Sequence, residues 1–130
     1  MKNIITIILI LIVPVLLYFG LSKNSETTST NAQLPNRPTI MIFSSTMCYD
    51  CKKLKLVLNE IEPLYKEKVN FVHYDALKND KTIKKYIKDY NIMLTPTTII
   101  LDENNENSKK IEGYITKENF INEIEALING

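Results

Sequence analysis

Cys48 and Cys51 are the two cysteines of the chain, spaced as C-Y-D-C. An apolar run with strand character, Thr39-Ile40-Met41-Ile42-Phe43, precedes them, and a run with helical periodicity follows from near Lys52. A CxxC at the first turn of a helix sets one sulfur against unpaired backbone N–H groups and the positive end of the helix dipole. Both favour thiolate over thiol. The two intervening residues bring the second sulfur within bonding reach, so the spacing points to dithiol–disulfide exchange. Other uses of the pair fit less well. As a structural staple it closes a tiny loop and removes little entropy from the unfolded chain. A zinc site needs four ligands. With His73 the one histidine of the chain, carboxylates or a second subunit would have to complete such a site, and no metal is expected. Covalent haem attachment needs a histidine after the second cysteine, where Lys52 stands.

The elements that must position this pair are legible as hydrophobic periodicity. Thr39 to Phe43 reads as a buried strand. A helix follows from Cys48 with Leu54, Val57, Leu58, Ile61, Leu64 and Tyr65 on one face, and Pro63 is expected to kink or break it near its end. Val69 to Tyr74 is a second strand. Asp80 to Tyr90 is a second helix, its stripe formed by Ile83, Tyr86, Ile87 and Tyr90. Thr97 to Leu101 is a third strand, Asp102 to Asn107 a turn, and Lys109 to Tyr114 a fourth strand running through Gly113. Thr116 caps a last helix with Phe120, Ile121, Ile124, Leu127 and Ile128 on its apolar face. The order β-α-β-α-β-β-α predicts an α/β fold, a mixed four-stranded sheet with helices on both faces. In this frame His73 reads as a strand residue at the sheet's margin rather than a catalytic base. Asp75 reads as an end-of-strand hydrogen-bonding residue. Tyr86 and Tyr90 read as a packed stripe.

The N-terminal part reads differently. Asn3 to Leu21 is almost wholly apolar, flanked by Lys2 and Lys23. As a helix at about 1.5 Å per residue it would span about 28 Å, close to a bilayer's hydrocarbon thickness. Pro14 is tolerable there, and Tyr18 and Phe19 sit where aromatic rings prefer the interface. Residues 1–21 therefore read as an uncleaved transmembrane anchor, with a removed signal peptide as the competing reading. Either places the rest of the chain outside the cytoplasm. Residues 22–37 are rich in Ser, Thr and Asn and read as a flexible linker. Residues 38–130 form the folded domain. The formal charge of the 130-residue chain is +1, and acidic and basic residues balance from Arg37 onward. This speaks against a nucleic-acid partner.

The order of elements, C-Y-D-C at the first strand–helix junction, Thr95-Pro96-Thr97 before the third strand and Gly113 before the last helix together resemble the thioredoxin superfamily. The likeness is greatest to the small membrane-tethered, extracytoplasmic thioredoxin-like proteins of bacteria. The resemblance implies a thiol–disulfide oxidoreductase in which Cys48 is the nucleophile and Cys51 the resolving cysteine. Lys52 matches the basic residue that commonly follows. Pro96 resembles the cis-proline that faces the disulfide, and Thr95 would offer its backbone to an extended substrate peptide. No organic cofactor is implied, since the Cys48–Cys51 pair is itself the redox centre. The implied partners are cysteines of exported proteins and a redox protein that exchanges electrons with this pair.

The departures are informative. Met47 replaces the tryptophan before the first cysteine, Tyr49 and Asp50 replace Gly-Pro, and Ile42 falls where thioredoxins carry a buried acid. The Asp50 charge disfavours the Cys48 thiolate, which makes the reduced form less favoured and the couple more reducing. The helix dipole opposes that effect, and Lys52, Lys53 and Lys55 either oppose it too or simply face water as a solvated face. A second reading keeps the fold without redox turnover, as a tethered substrate-binding or chaperone module using the groove beside Pro96.

Overall fold

The computed structural model describes residues 36–106 and 108–130, together with Asn3, Ile12 and Val13. The chain divides into two units, Met1–Asn31 and Ala32–Gly130. Of the first, the three described residues are helical, and the expected anchor otherwise lies outside the described residues, as does most of the expected linker. No helix among the described residues is long and apolar enough to cross a membrane.

The second unit contains β1 (Thr39–Ser44), α1 (Tyr49–Tyr65), β2 (Asn70–Asp75), α2 (Lys81–Asp89), β3 (Thr97–Leu101), β4 (Ser108–Glu112) and α3 (Lys117–Asn129). The sheet order is β2-β1-β3-β4. β1 pairs parallel with β2 and antiparallel with β3, and β3 pairs antiparallel with β4. Both central strands are buried almost throughout, Ser44 alone being half-buried, and apart from Thr39, Ser44, Thr97 and Thr98 they are apolar, as suits strands covered on both faces. Their alternation sorts the core. Ile40, Ile42 and Ile100 face one layer with Leu54, Leu58 and Ile61 of α1 and Phe120 and Ile124 of α3. Met41, Phe43, Ile99 and Leu101 face the other with Ile83 of α2 and Ile92. Tyr86, Ile87 and Tyr90 pack partly buried against this second layer.

The second layer ends in an aromatic row. Phe43 and Tyr74 stack at 5.0 Å between ring centroids, Tyr74 meets Tyr86 at 5.5 Å, and Tyr86 meets Tyr90 at 6.2 Å. Burial, followed by the neighbouring Tyr86, pushes the Tyr74 hydroxyl up to about 12, so Tyr74 stays neutral through the physiological range. The row is a packed stripe, as its spacing suggests.

Helix starts follow local chemistry. Cys48 caps α1 and Thr116 caps α3. Asp80 caps α2, its carboxylate accepting from Thr82 N at 2.8 Å and Ile83 N at 3.1 Å. Those backbone donors hold its carboxyl below the usual range.

Three expectations need correction. Pro63 does not end α1. The helix runs on to Tyr65, and the Lys66 N–H closes on Glu62 O at 2.9 Å. A proline this close to the C-terminus removes a single ladder bond. Leu64 is 67% exposed. It continues the line of Val57, which already stands at the margin of the buried face. The fourth strand ends at Glu112 rather than Tyr114, because Gly113 turns the chain with φ +87°.

The core and the margin should respond differently to truncation. Phe120→Ala, at a fully buried ring, is expected to cost about 3–5 kcal/mol. Leu64→Ala should stay within about 0.5 kcal/mol. Equilibrium urea unfolding of both variants checks the contrast.

Candidate active site: the Cys48–Cys51 disulfide

Strand register assembles the site. Phe43 of β1 pairs with Thr97 of β3, and Thr97 pairs in turn with Glu112 of β4. The segment leaving β1, the segment entering β3 and the segment leaving β4 therefore meet at one end of the sheet. They carry Cys48, Thr95-Pro96 and Gly113-Tyr114 respectively.

Cys48 is the N-cap residue of α1, in extended conformation at φ −89° and ψ 123°, rather than a first-turn residue. Its Sγ lies 3.1 Å from the Cys51 backbone N–H, a donor that favours negative charge on that sulfur. Cys51, one turn into the helix, is joined to it in a disulfide with Cα atoms 5.2 Å apart. Cys48 is half-buried, whereas Cys51 is 5% exposed. The Thr95–Pro96 peptide bond is cis, and the Thr95 carbonyl oxygen approaches Cys48 Sγ to 3.3 Å. With the disulfide closed this is a contact. Once reduced, a thiol there would have an acceptor. Pro96 is buried and its carbonyl accepts from Gly113 N at 2.7 Å. The cis-proline corner is thus fastened to the turn that follows β4.

The candidate residues distribute unevenly around this centre. Cys48, Cys51, Thr95 and Pro96 come together. Tyr49 and Asp50 project to solvent at the start of α1, and the Asp50 carboxylate lies 3.6 Å from Lys53 Nζ. That pairing offsets the charge expected to disfavour a Cys48 thiolate. Lys52 is exposed and lines a cleft of about 620 Å³ that reaches Cys51 from the side of Ser44, Ser45 and Thr46. His73 sits at the far part of the same cleft, exposed on edge strand β2 against Glu62. It makes no contact with either sulfur. Ile42 is 1% exposed, so its position holds no proton-transfer group. Asp75 accepts from Leu77 N at 3.0 Å and serves the turn after β2.

Sequence reading named Tyr49 at the site but overlooked the apolar rim to which it belongs. Met47, Tyr49, Met93, Leu94 and Tyr114 are large side chains left exposed, all in the three segments that surround the disulfide. Their signal was positional, since each lies within two residues of a recognised site residue. No group of side chains among the described residues has the arrangement to hold a metal ion.

Residues 26–128 match the family model of the thioredoxin-like domain. The chain belongs to the thioredoxin-like family. Among similar proteins, the thiol-disulfide oxidoreductase ResA of Bacillus thuringiensis is 28% identical over 95 residues, covering 58% of this chain and 55% of that protein. The thiol:disulfide interchange protein DsbD of Campylobacter jejuni is 25% identical over 105 residues, 79% of this chain and 18% of that protein. The thioredoxin-like protein HCF164 of Arabidopsis thaliana is 27% identical over 117 residues, 86% of this chain and 44% of that protein. The chain thus spans about half or less of these relatives. Among solved structures, chloroplastic thioredoxin z superposes with a TM-score of 0.63 at 19% identity, over 73% of this chain and 81% of its own. That likeness shows the fold.

Gly113 offers a clean test of how the corner is held. No atom lies within 4 Å of a Cβ built there, yet its φ is +87°. Gly113→Ala should therefore cost about 1–2 kcal/mol through backbone conformation alone. Denaturant unfolding measures it, and a loss under about 0.3 kcal/mol would remove the conformational argument.

Proposed function

We propose that this chain is a thiol–disulfide oxidoreductase in which Cys48 attacks and Cys51 resolves. The observation that carries the reading is the unequal burial of two bonded sulfurs at a helix N-terminus, the outer one against a cis-proline corner. The relatives named thiol-disulfide oxidoreductase and thiol:disulfide interchange protein support it.

The reduced form has Cys48 as thiolate. It attacks one sulfur of a substrate disulfide, forming a Cys48–substrate mixed disulfide and expelling the other substrate sulfur as thiolate, which takes a proton. The Cys51 thiolate then attacks Cys48 Sγ. The Cys48–Cys51 disulfide forms, and the second substrate sulfur leaves. Two electrons pass from the pair to the substrate, and the same steps reversed oxidise a dithiol. The protein requires no organic cofactor and no metal on this reading. A partner dithiol protein regenerates the reduced pair. Thr95 presents its backbone to an extended substrate segment, strand to strand, and the exposed Met93 and Leu94 flank that edge. Tyr49, Asp50 and Lys52 modulate the pair rather than react.

The apolar run from Asn3 to Leu21 supports a single-pass membrane anchor with the thioredoxin-like domain outside the cytoplasm. Cysteines of exported proteins or of a dedicated redox partner are then the substrates. Asp50 beside the pair favours the reducing or isomerising direction, moderated by Lys53. A reduction potential near about −120 mV, that of strong oxidants, would reverse that assignment.

Cys48→Ser is expected to drop insulin disulfide reduction to the uncatalysed background. Cys51→Ser should retain the first attack and accumulate mixed disulfides, visible on non-reducing gels and lost with dithiothreitol. Full turnover by both variants would refute the proposal.

A further inference from the structure

Lys53 stands one helical turn beyond Tyr49 and Asp50 on α1, the spacing at which side chains on a helix meet. Its ammonium lies 5.0 Å from the Tyr49 ring centroid and 5.2 Å from that of Tyr114. Both distances are within cation–π range. The same nitrogen is 3.6 Å from the Asp50 carboxylate. Tyr49 is 72% exposed and Tyr114 40% exposed, so neither ring is oriented by burial. The lysine supplies a shared partner for both.

The contacts around the disulfide form a circuit. Cys48 touches the Thr95 carbonyl. Pro96, next in the chain, accepts from Gly113. Tyr114 follows Gly113, Lys53 bridges Tyr114 to Tyr49, and Tyr49 follows Cys48. The sulfur–carbonyl contact and one backbone hydrogen bond close one side of this circuit, between the cis-proline corner and the other two segments. The other side, from the turn after β4 back to α1, is closed by the lysine ammonium.

We propose that Lys53 is a specificity-determining positioning residue. Its ammonium between Tyr49 and Tyr114 ties the start of α1 to the turn after β4, and so sets the wall of the groove that receives a polypeptide disulfide beside Cys48. This rests on the oxidoreductase reading. It predicts that polypeptide substrates, which need the wall, depend on Lys53 more strongly than a small neutral disulfide, which senses only the charge that Lys53 sets against Asp50.

The test is single-turnover oxidation of the prereduced full chain, in detergent, by insulin and by 2,2′-dipyridyl disulfide. Lys53→Met keeps length and loses the charge. It should raise the insulin concentration giving half the limiting rate by about 3–10-fold, the scale of one or two exposed cation–π contacts. The limiting rate and the dipyridyl disulfide rate constant both carry the loss of the Lys53–Asp50 charge balance and should change together, by less than about twofold because that pair is about half exposed. Lys53→Arg keeps a cation that stacks on aromatic rings and should return the insulin value to within about twofold of wild type. A Met variant with wild-type insulin saturation overturns the proposal. So does an equal loss with both disulfides, which would place the effect on the Cys48 charge balance through Asp50. If the wild-type protein reacts with neither disulfide, the oxidoreductase reading itself falls. A merely stabilising lysine would shift the unfolding midpoint without separating the two substrates.

Discussion

The antiparallel pairing of β1 with β3 is the constraint from which the site follows. β1 leaves the sheet at the end where β3 enters it, so whatever chain follows β1 must lie beside whatever chain precedes β3. The first segment holds C-Y-D-C and the second holds Thr95-Pro96. The pairing of Phe43 with Thr97 sets their approach to within a residue. Because side chains alternate along a strand, a slip of one residue would carry Ile40 and Ile42 from the α1 layer to the opposite face. The two core layers therefore hold the register, and the register brings Thr95 to Cys48. Packing remote from the sulfurs does the aligning, and no element of the site has to be rigid by itself.

On that frame, local electrostatics act on Cys48 from opposed directions. The N-cap position supplies the Cys51 N–H and the helix dipole, both favouring a thiolate. The Thr95 carbonyl oxygen, 3.3 Å away, favours a protonated sulfur instead. Asp50 would add to the carbonyl's effect, yet its carboxylate and the Lys53 ammonium lie close enough for much of their fields to cancel at a distance. Both are about half exposed, so solvent screens what remains. Ile42 lies fully within the core and contributes no proton-transfer group. Proton exchange at Cys51 has the cleft beside Ser44, Ser45 and Thr46 as its route to solvent.

Periodicity made the element order, the strand pairing class and the inward faces of all three helices legible before any coordinates. It works because both central strands are apolar on each face and each helix carries one stripe. Cys48, Cys51, Thr95 and Pro96 were readable because their placement relative to those elements is itself a pattern. What escaped depends on geometry that no local pattern encodes. Leu64 has the spacing of a core residue but lies along the stripe's margin. Tyr114 reads as the end of a strand until the positive φ of Gly113 takes the chain out of the ladder. Lys53 reads as one of several lysines on a solvated face. Its two aromatic contacts join positions more than sixty residues apart, and helix spacing reveals only the nearer one.

The difference in burial between the sulfurs orders the chemistry more firmly than charge does. A partner disulfide must bring its sulfur along the line of the bond it attacks, and Cys48 is the sulfur that solvent and the exposed rim leave approachable. Cys51 lies behind it on the buried face of α1 with Leu54 and Leu58. In the proposed exchange, a mixed disulfide at Cys48 would keep the substrate at the rim, with Cys51 one helical turn inside and already at bonding separation. Cys51 is 5% exposed and meets solvent through the cleft beside Ser44, Ser45 and Thr46, so exchange there first would have to reach a sulfur with little accessible surface. The helix that lends Cys48 its donors thus also hides its partner, and the proposed order of attack and resolution rests on which end of one turn faces water.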